Sequence, residues 1–261
     1  KNKLAHGDVS DMTSHDIDFS GVTFRYEEGV DVLTDFSLKL ESGKKYALVG
    51  SSGSGKSTIA KLISGFYPVS SGELKIGGVD ISKYKRETLE HEIAFVFQNA
   101  KLFKTSIYEN VKIGRPDASR EEVIKALDLA MCGSILDKFE TREDTIIGAK
   151  GVHLSGGETQ RIAIARAILK DAPIIILDEA SAASDPENEY EMQQAFSKLM
   201  EGKTVIMIAH RLSSIRNVDE ILVVEDGKVT ERGSHDELIV KDSKYKKLQN
   251  LYNQANEWRL S

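Results

Sequence analysis

The apolar run Lys45-Tyr46-Ala47-Leu48-Val49 leads directly into Gly50-Ser51-Ser52-Gly53-Ser54-Gly55-Lys56-Ser57, and residues 57–64 have the composition of a helix leaving that loop. A glycine, four residues and then Gly-Lys-Ser/Thr is a phosphate-loop pattern, and strand, loop, helix is the context it requires. Its glycines let the backbone curl until successive N–H groups converge on phosphate oxygens, while the following helix adds the positive end of its dipole. Lys56 then neutralises phosphate charge. Ser57, followed by Thr58, places a hydroxyl where a hard cation bridging the phosphates needs an oxygen ligand. The bland alternative, a flexible Gly/Ser loop, is disfavoured by the flanking strand and helix. The pattern therefore predicts an α/β fold that binds a nucleoside triphosphate with Mg²⁺.

The other apolar runs agree with that fold class. Residues 174–177, 204–208 and 220–224 are continuous and separated by helical segments, the mark of strands buried on both faces of a parallel sheet, and 93–97 reads as a further strand. Alternating segments between residues 17 and 40 predict antiparallel strands, with Tyr26 at the end of the first, and 74–76 reads as another strand. Residues 120–131 carry Val123, Ile124, Leu127 and Met131 at helical spacing, with Ser119 as N-cap ahead of Glu121 and Glu122. A mostly helical subdomain is expected over about residues 99–167. Residues 1–15 are polar and read as a linker, 16–261 as one domain, and about 236–258 as a closing helix. Cys132 follows the helical apolar pattern and reads as structural. A lone cysteine forms no internal disulfide, so a reducing setting is the default.

Charge and hydropathy remove several function classes. With 35 basic and 41 acidic residues the formal net charge is −6, which gives no overall attraction to nucleic acid or acidic lipid. The apolar runs are strand-length, so none spans a bilayer. Lys1 in place of an initiating Met reads as the start of a segment cut from a longer polypeptide, with a membrane-spanning part upstream.

Residues 174–177 end in Asp178 and Glu179, which delivers two carboxylates to the C-terminal edge of the sheet. Neighbouring strand residues point to opposite sides. Asp178 is therefore expected to support Mg²⁺ and Glu179 to polarise the water that attacks the γ-phosphate. Further upstream, Leu154-Ser155-Gly156-Gly157-Glu158 gives an N-cap and exposed helix N–H groups, a second anion-binding helix start. Alone, that pentapeptide reads as an ordinary helix start.

The pentapeptide, shortly before the Asp178 strand, resembles the signature motif of ATP-binding cassette (ABC) ATPases. The resemblance runs from about residue 17 to 251 and is closest to the nucleotide-binding domain of an exporter-type half-transporter. It implies a P-loop core with a mostly parallel sheet, an antiparallel β subdomain and an inserted helical subdomain. It also implies that ATP is sandwiched between two cassettes, with Ser155, Gly156, Gly157 and Glu158 acting on the opposite chain's nucleotide. Gln98 matches the glutamine that ligates Mg²⁺ and senses the membrane partner. His210 matches the histidine that contacts the γ-phosphate, Tyr26 the aromatic that stacks on adenine, and Asp185 the aspartate that couples the two sites. Each is unremarkable alone. In order around a P-loop they are specific.

Segments 105–111 and 144–151 resemble those that exporters place against their membrane domains, and His235-Asp236-Glu237-Leu238 resembles their C-terminal signal. The partners implied are a transmembrane domain, expected upstream in the same polypeptide, and a second cassette, identical or not; no nucleic acid is expected. The location implied is the cytoplasmic face of a membrane. Three departures stand out: Glu158 replaces the commoner Gln, Ala182-Ala183-Ser184-Asp185 replaces Ser-Ala-Leu-Asp, and Ile146 and Ala149 replace acidic residues. Rival classes are a soluble ABC ATPase acting on DNA or ribosomes and a regulatory cassette that only holds ATP. The first usually carries a coiled-coil insertion or fused cassettes; the second usually lacks Glu179 or His210.

Overall fold

The computed structural model describes residues 3–97, 99–150, 152–179, 186–210, 212–240 and 242–260. In chain order the elements are β1 Ile17–Phe24, β2 Leu33–Leu40, β3 Lys45–Val49, α1 Lys56–Ile63, β4 Ser71–Ile76, β5 Val79–Asp80, α2 Arg86–Glu92 and β6 Ile93–Val96. Then follow α3 Ile107–Lys112, α4 Arg120–Leu129, α5 Gly133–Leu136, α6 Gly156–Lys170, β7 Ile174–Asp178, α7 Pro186–Met200, β8 Thr204–Ile208 and α8 Leu212–Ile215. The chain closes with β9 Glu220–Glu225, β10 Lys228–Gly233, α9 His235–Ile239 and α10 Lys244–Leu260. It divides into two units: Lys1–Ile93 with Pro173–Glu179 and Lys203–Ser261, and Ala94–Ala172 with Ala180–Gly202.

In the first unit the main strands run in the order β10-β9-β3-β8-β7. β3 is central, parallel to β8 (Leu48 opposite Ile208) and to β9 (Val49 opposite Val223). β7 lies parallel to β8, with Asp178 opposite Ile208, and β10 turns back antiparallel to β9. All five residues of β8 are buried, as expected where helices and loops cover both faces. A second, antiparallel sheet has the order β2-β1-β4-β5, and β1 slips register at Gly21 (φ 55°).

Two features of this unit depart from the sequence pattern. Residues 3–10 are held by the main chain: Gly7 N–H donates to Tyr84 O at 3.1 Å, and Lys85 N–H donates to Val9 O at 2.8 Å. Leu4 is buried. Pairing of this kind leaves no side-chain periodicity to read. The closing helix is two helices, because Ser243 Oγ donates to Leu238 O at 2.7 Å and accepts from Lys246 N–H at 3.0 Å. One hydroxyl thus ends α9 and starts α10.

The second unit is helical, and α6 packs against α3, α4 and α7. Ser119 Oγ accepts from Glu122 N–H at 3.2 Å, and α4 ends ahead of Met131, which takes φ 58°. Arg161 of α6 is 2% exposed and donates to Met131 O at 2.8 Å and Asn188 Oδ1 at 3.2 Å, and it pairs with Glu191. Cys132 is buried, and desolvation pushes its thiol up to about 12, which leaves it unreactive.

Candidate functional site

The loop between β3 and α1 can only be built from glycine at its entry. Gly50 has φ 148°, and a Cβ there would overlap the Val224 carbonyl oxygen of β9. Gly55 (φ 113°) occupies the N-cap of α1, which has no side-chain cap, so the first N–H groups of the helix stay available to a ligand. The loop is tied down by Gly227 N–H, which donates to Ser54 O at 2.9 Å. Lys56 Nζ donates to the Gly50 carbonyl oxygen, folding the ammonium into the loop. Burial pushes Lys56 below the ordinary lysine value, an effect opposed by the charge of Asp178. Ser54 Oγ is buried and has no hydrogen-bond partner among the described residues. A desolvated ammonium, an orphaned hydroxyl and uncapped helix N–H groups form a donor set that fits a polyanion such as triphosphate, and the exposed Ser57 hydroxyl fits its cation.

The acidic pair sits two strands away at the same sheet edge. Glu179 N–H donates to Ile208 O at 3.1 Å, and Ala209 N–H donates to Leu48 O at 3.1 Å, so the ladder carries on past the strand ends. This brings His210 beside both carboxylates. His210 Nε2 lies 3.3 Å from Asp178 Oδ1, and His210 N–H lies 3.4 Å from Glu179 Oε2. The two acids differ in setting as well as direction. Asp178 keeps a partly exposed side chain, while Glu179 is 4% exposed and accepts a hydrogen bond from the Ser214 hydroxyl of α8.

Tyr26 is joined to α1 through Thr58. Its hydroxyl is 3.0 Å from Thr58 Oγ1, its ring is 47% exposed, and Phe24 and Tyr67 pack edge-on against it with centroids at 4.8 and 5.4 Å. A planar ring held by its hydroxyl and two perpendicular aromatic neighbours, and still half-exposed, offers a fixed surface for stacking.

In the second unit, Ser155 caps α6 in a reciprocal box: its Oγ accepts from Glu158 N–H at 3.2 Å, and Glu158 Oε1 accepts from Ser155 N–H at 3.0 Å. Gly156 and Gly157 begin the helix, and Lys138 pairs with the Glu158 carboxylate. Burial alone would raise the Glu158 carboxyl, but Lys138 and the Ser155 N–H outweigh it and hold it below the ordinary value. The segments around 105 and 145 join each other directly, with Ile107 N–H to Thr145 O at 3.0 Å and Ile147 N–H to Thr105 O at 2.9 Å. Phe103 and Ile146 are exposed beside this junction.

Of the residues predicted from sequence, Tyr26, residues 50–58, Asp178, Glu179 and His210 belong to the first unit and are linked there by the contacts above. Ser155 to Glu158 belong to the second. Gln98 and Asp185 lie outside the described residues. The sequence reading missed Ser214, Tyr67 and Lys138. Ser214 carried one usable signal, a hydroxyl four residues after His210.

Residues 33–182 match the family described as ABC transporter. The ATP-dependent lipid A-core flippase of Pasteurella multocida (strain Pm70) is 47% identical over 237 residues, which is 90% of this chain and 41% of that protein. The protein of the same name from Legionella pneumophila (strain Lens) is 44% identical over 240 residues, covering 92% of this chain and 41% of that one. A solved structure titled "Structure of a bacterial Atm1-family ABC exporter with ATP bound" superposes with a TM-score of 0.85 at 35% identity, over 96% of this chain and 44% of that chain. The chain thus spans less than half the length of the relatives it matches. Its α/β fold, with an antiparallel sheet and a helical unit, is the fold of that exporter's corresponding region. No helix among the described residues is long and apolar enough to cross a membrane.

Proposed function

The chain belongs to the ABC transporter family, and on that premise we propose that it is the cassette that binds and hydrolyses ATP to drive export through a longer membrane protein. The supporting observation is the shared sheet edge in the first unit. Lys56 follows β3, Asp178 and Glu179 end β7, and His210 follows β8, on strands that are immediate neighbours in the order β3-β8-β7.

In this reading Tyr26 stacks on adenine, and the N–H groups of residues 50–58 hold the phosphates together with Lys56. Polyphosphate charge replaces the Gly50 carbonyl as the partner of the Lys56 ammonium. Ser57 and Asp178 would hold Mg²⁺, with Gln98 as the resemblance implies, and the ion would supply charge neutralisation on the phosphates. Glu179 accepts the proton of the attacking water, the phosphoryl group passes to that water, and ADP leaves. Burial at 4% exposure keeps bulk solvent from competing for the carboxylate. His210 Nε2 turns from Asp178, which it contacts here, and donates to the γ-phosphate as charge develops.

Ser155, Gly156, Gly157 and Glu158 present the N-terminus of α6 to the nucleotide of a second cassette, identical or not, and Asp185 couples the two sites. The junction of residues 105–111 with 144–147, bearing exposed Phe103 and Ile146, contacts a transmembrane domain. That arrangement puts the cassette on the cytoplasmic face of a membrane. Binding energy closes the pair of cassettes, and hydrolysis reopens it.

The test is Glu179→Gln, assayed by phosphate release at several protein concentrations and by size-exclusion chromatography with ATP. Loss of turnover with accumulation of an ATP-bound dimer is expected, and parent turnover should rise more than linearly with concentration. Full turnover in the variant rules out the role of Glu179. Parent protein that binds ATP without releasing phosphate would make this a regulatory cassette.

A further inference from the structure

The segment after β8 reaches the two acids at two points, four residues apart. His210 meets Asp178 through Nε2, and Ser214 donates its hydroxyl to Glu179 Oε1. The His210 N–H lies 3.4 Å from Glu179 Oε2, at the outer limit of a useful hydrogen bond. A carboxylate terminal torsion is broad and roughly two-fold, so its oxygens exchange places unless a neighbour distinguishes them. Ser214 does so. It is set firmly enough for the purpose: Ile215, next in α8, is buried, and Val218 N–H donates back to Ile215 O at 3.3 Å.

We infer that Ser214 is a positioning residue for Glu179, fixing one carboxylate oxygen so that the other is presented to water in a single orientation. This rests on the proposed role of Glu179 as the proton acceptor. A base must lie within hydrogen-bond reach of the proton it takes, and misplacement by about 1 Å costs on the order of a hundredfold in rate. Ser214 touches neither nucleotide nor water in this account. Its effect belongs to turnover rather than to ATP affinity, which the loop around Lys56 and the Tyr26 ring provide. The same segment therefore holds one acid through an imidazole and the other through a hydroxyl. When His210 turns towards the γ-phosphate, Ser214 keeps Glu179 in place.

Steady-state ATPase activity of the full-length protein with Mg-ATP tests this in three variants. Ser214→Ala should lower kcat about tenfold, the scale of one lost hydrogen bond to a charged group, with KM within about twofold of the parent. Ser214→Thr keeps the hydroxyl and should return kcat to within about twofold. Glu179→Gln combined with Ser214→Ala should be no slower than Glu179→Gln alone. A parental kcat in Ser214→Ala, a change confined to KM, or Ser214→Thr as slow as Ser214→Ala each overturns the assignment. The outcomes also separate the two levels of the argument. An active Glu179→Gln removes the role of Glu179 itself, whereas an inactive Glu179→Gln beside a fully active Ser214→Ala removes that of Ser214 alone.

Discussion

Glu191→Leu isolates what the ion pair beneath the Ser155 helix contributes. In the parent, the Arg161 guanidinium is 2% exposed and donates to Met131 O at 2.8 Å, Ser134 Oγ at 3.3 Å and Asn188 Oδ1 at 3.2 Å, as well as to the Glu191 carboxylate. Removing one member of a buried pair costs about 3–5 kcal/mol, because a charge is left uncompensated out of water. Three neutral acceptors remain around Arg161, and Glu191 is itself 17% exposed, which argues for the lower end, about 3 kcal/mol. Arg161→Met added to Glu191→Leu removes the second charge. It also removes Arg161 Nε, which is buried without a partner among the described residues, a donor whose desolvation costs about 1–3 kcal/mol. The double variant should then return to within about 1 kcal/mol of the parent. A chain of two units need not unfold in one step, so amide hydrogen exchange in α6 and α7 is the suitable measure. The single variant should lose about a hundredfold in protection and the double variant should regain most of it. If the two substitutions add, so that the double variant is worse than Glu191→Leu, the electrostatic account of this pair is wrong.

Two further perturbations discriminate between local causes. Gly50→Ala must move the Val224 carbonyl and adopt φ 148°, whereas a Cβ at Gly53 (φ 78°) meets nothing within 4 Å. We expect Gly50→Ala to lower stability by about 3 kcal/mol and Gly53→Ala by about 1, read as melting temperatures, with equal effects refuting the overlap argument. For Glu158→Gln the capping box is retained and only the charge is lost. The parent carboxyl is held below its ordinary value, so its contribution is complete above about pH 4.5 and disappears as pH falls through the lower folded value. The stability gap between parent and variant should therefore narrow on acidification, and a gap independent of pH would show that Lys138 does not stabilise the ionised form.

The parts of the site that were legible in the sequence are those set by short-range spacing. Gly50 to Ser57, the apolar run before Asp178 and the Ser155 cap are each determined within about ten residues, where backbone geometry dictates residue type. The expected strands at 174–177, 204–208 and 220–224 also stand, as β7, β8 and β9, because a parallel sheet buried on both faces demands continuous apolar runs. What escaped was non-local or carried by the main chain. Ser214 meets Glu179 across 35 positions, Arg161 meets Glu191 across 30, and neither pair leaves a periodic trace. The break between α9 and α10 depends on one serine hydroxyl with two partners, inside a stretch whose apolar spacing runs on through Leu238 and Tyr245.

The central place of β3 sets a timetable for the cell. Its partners are β8 and β9, so Lys45 faces Val205 and Tyr46 faces Glu220. At roughly 5–20 residues per second, a ribosome that has just made the Lys56 loop needs on the order of ten to thirty seconds more before those strands exist. Throughout that interval the nascent chain carries an apolar strand and a glycine-rich loop with no sheet to hold them. In the proposed function nucleotide is a poor template for early folding, because the loop from Gly50 to Ser57 is braced by the late-made Val224 and Gly227. Chains truncated ahead of β8 should therefore emerge as clients for chaperones rather than as small ATP binders.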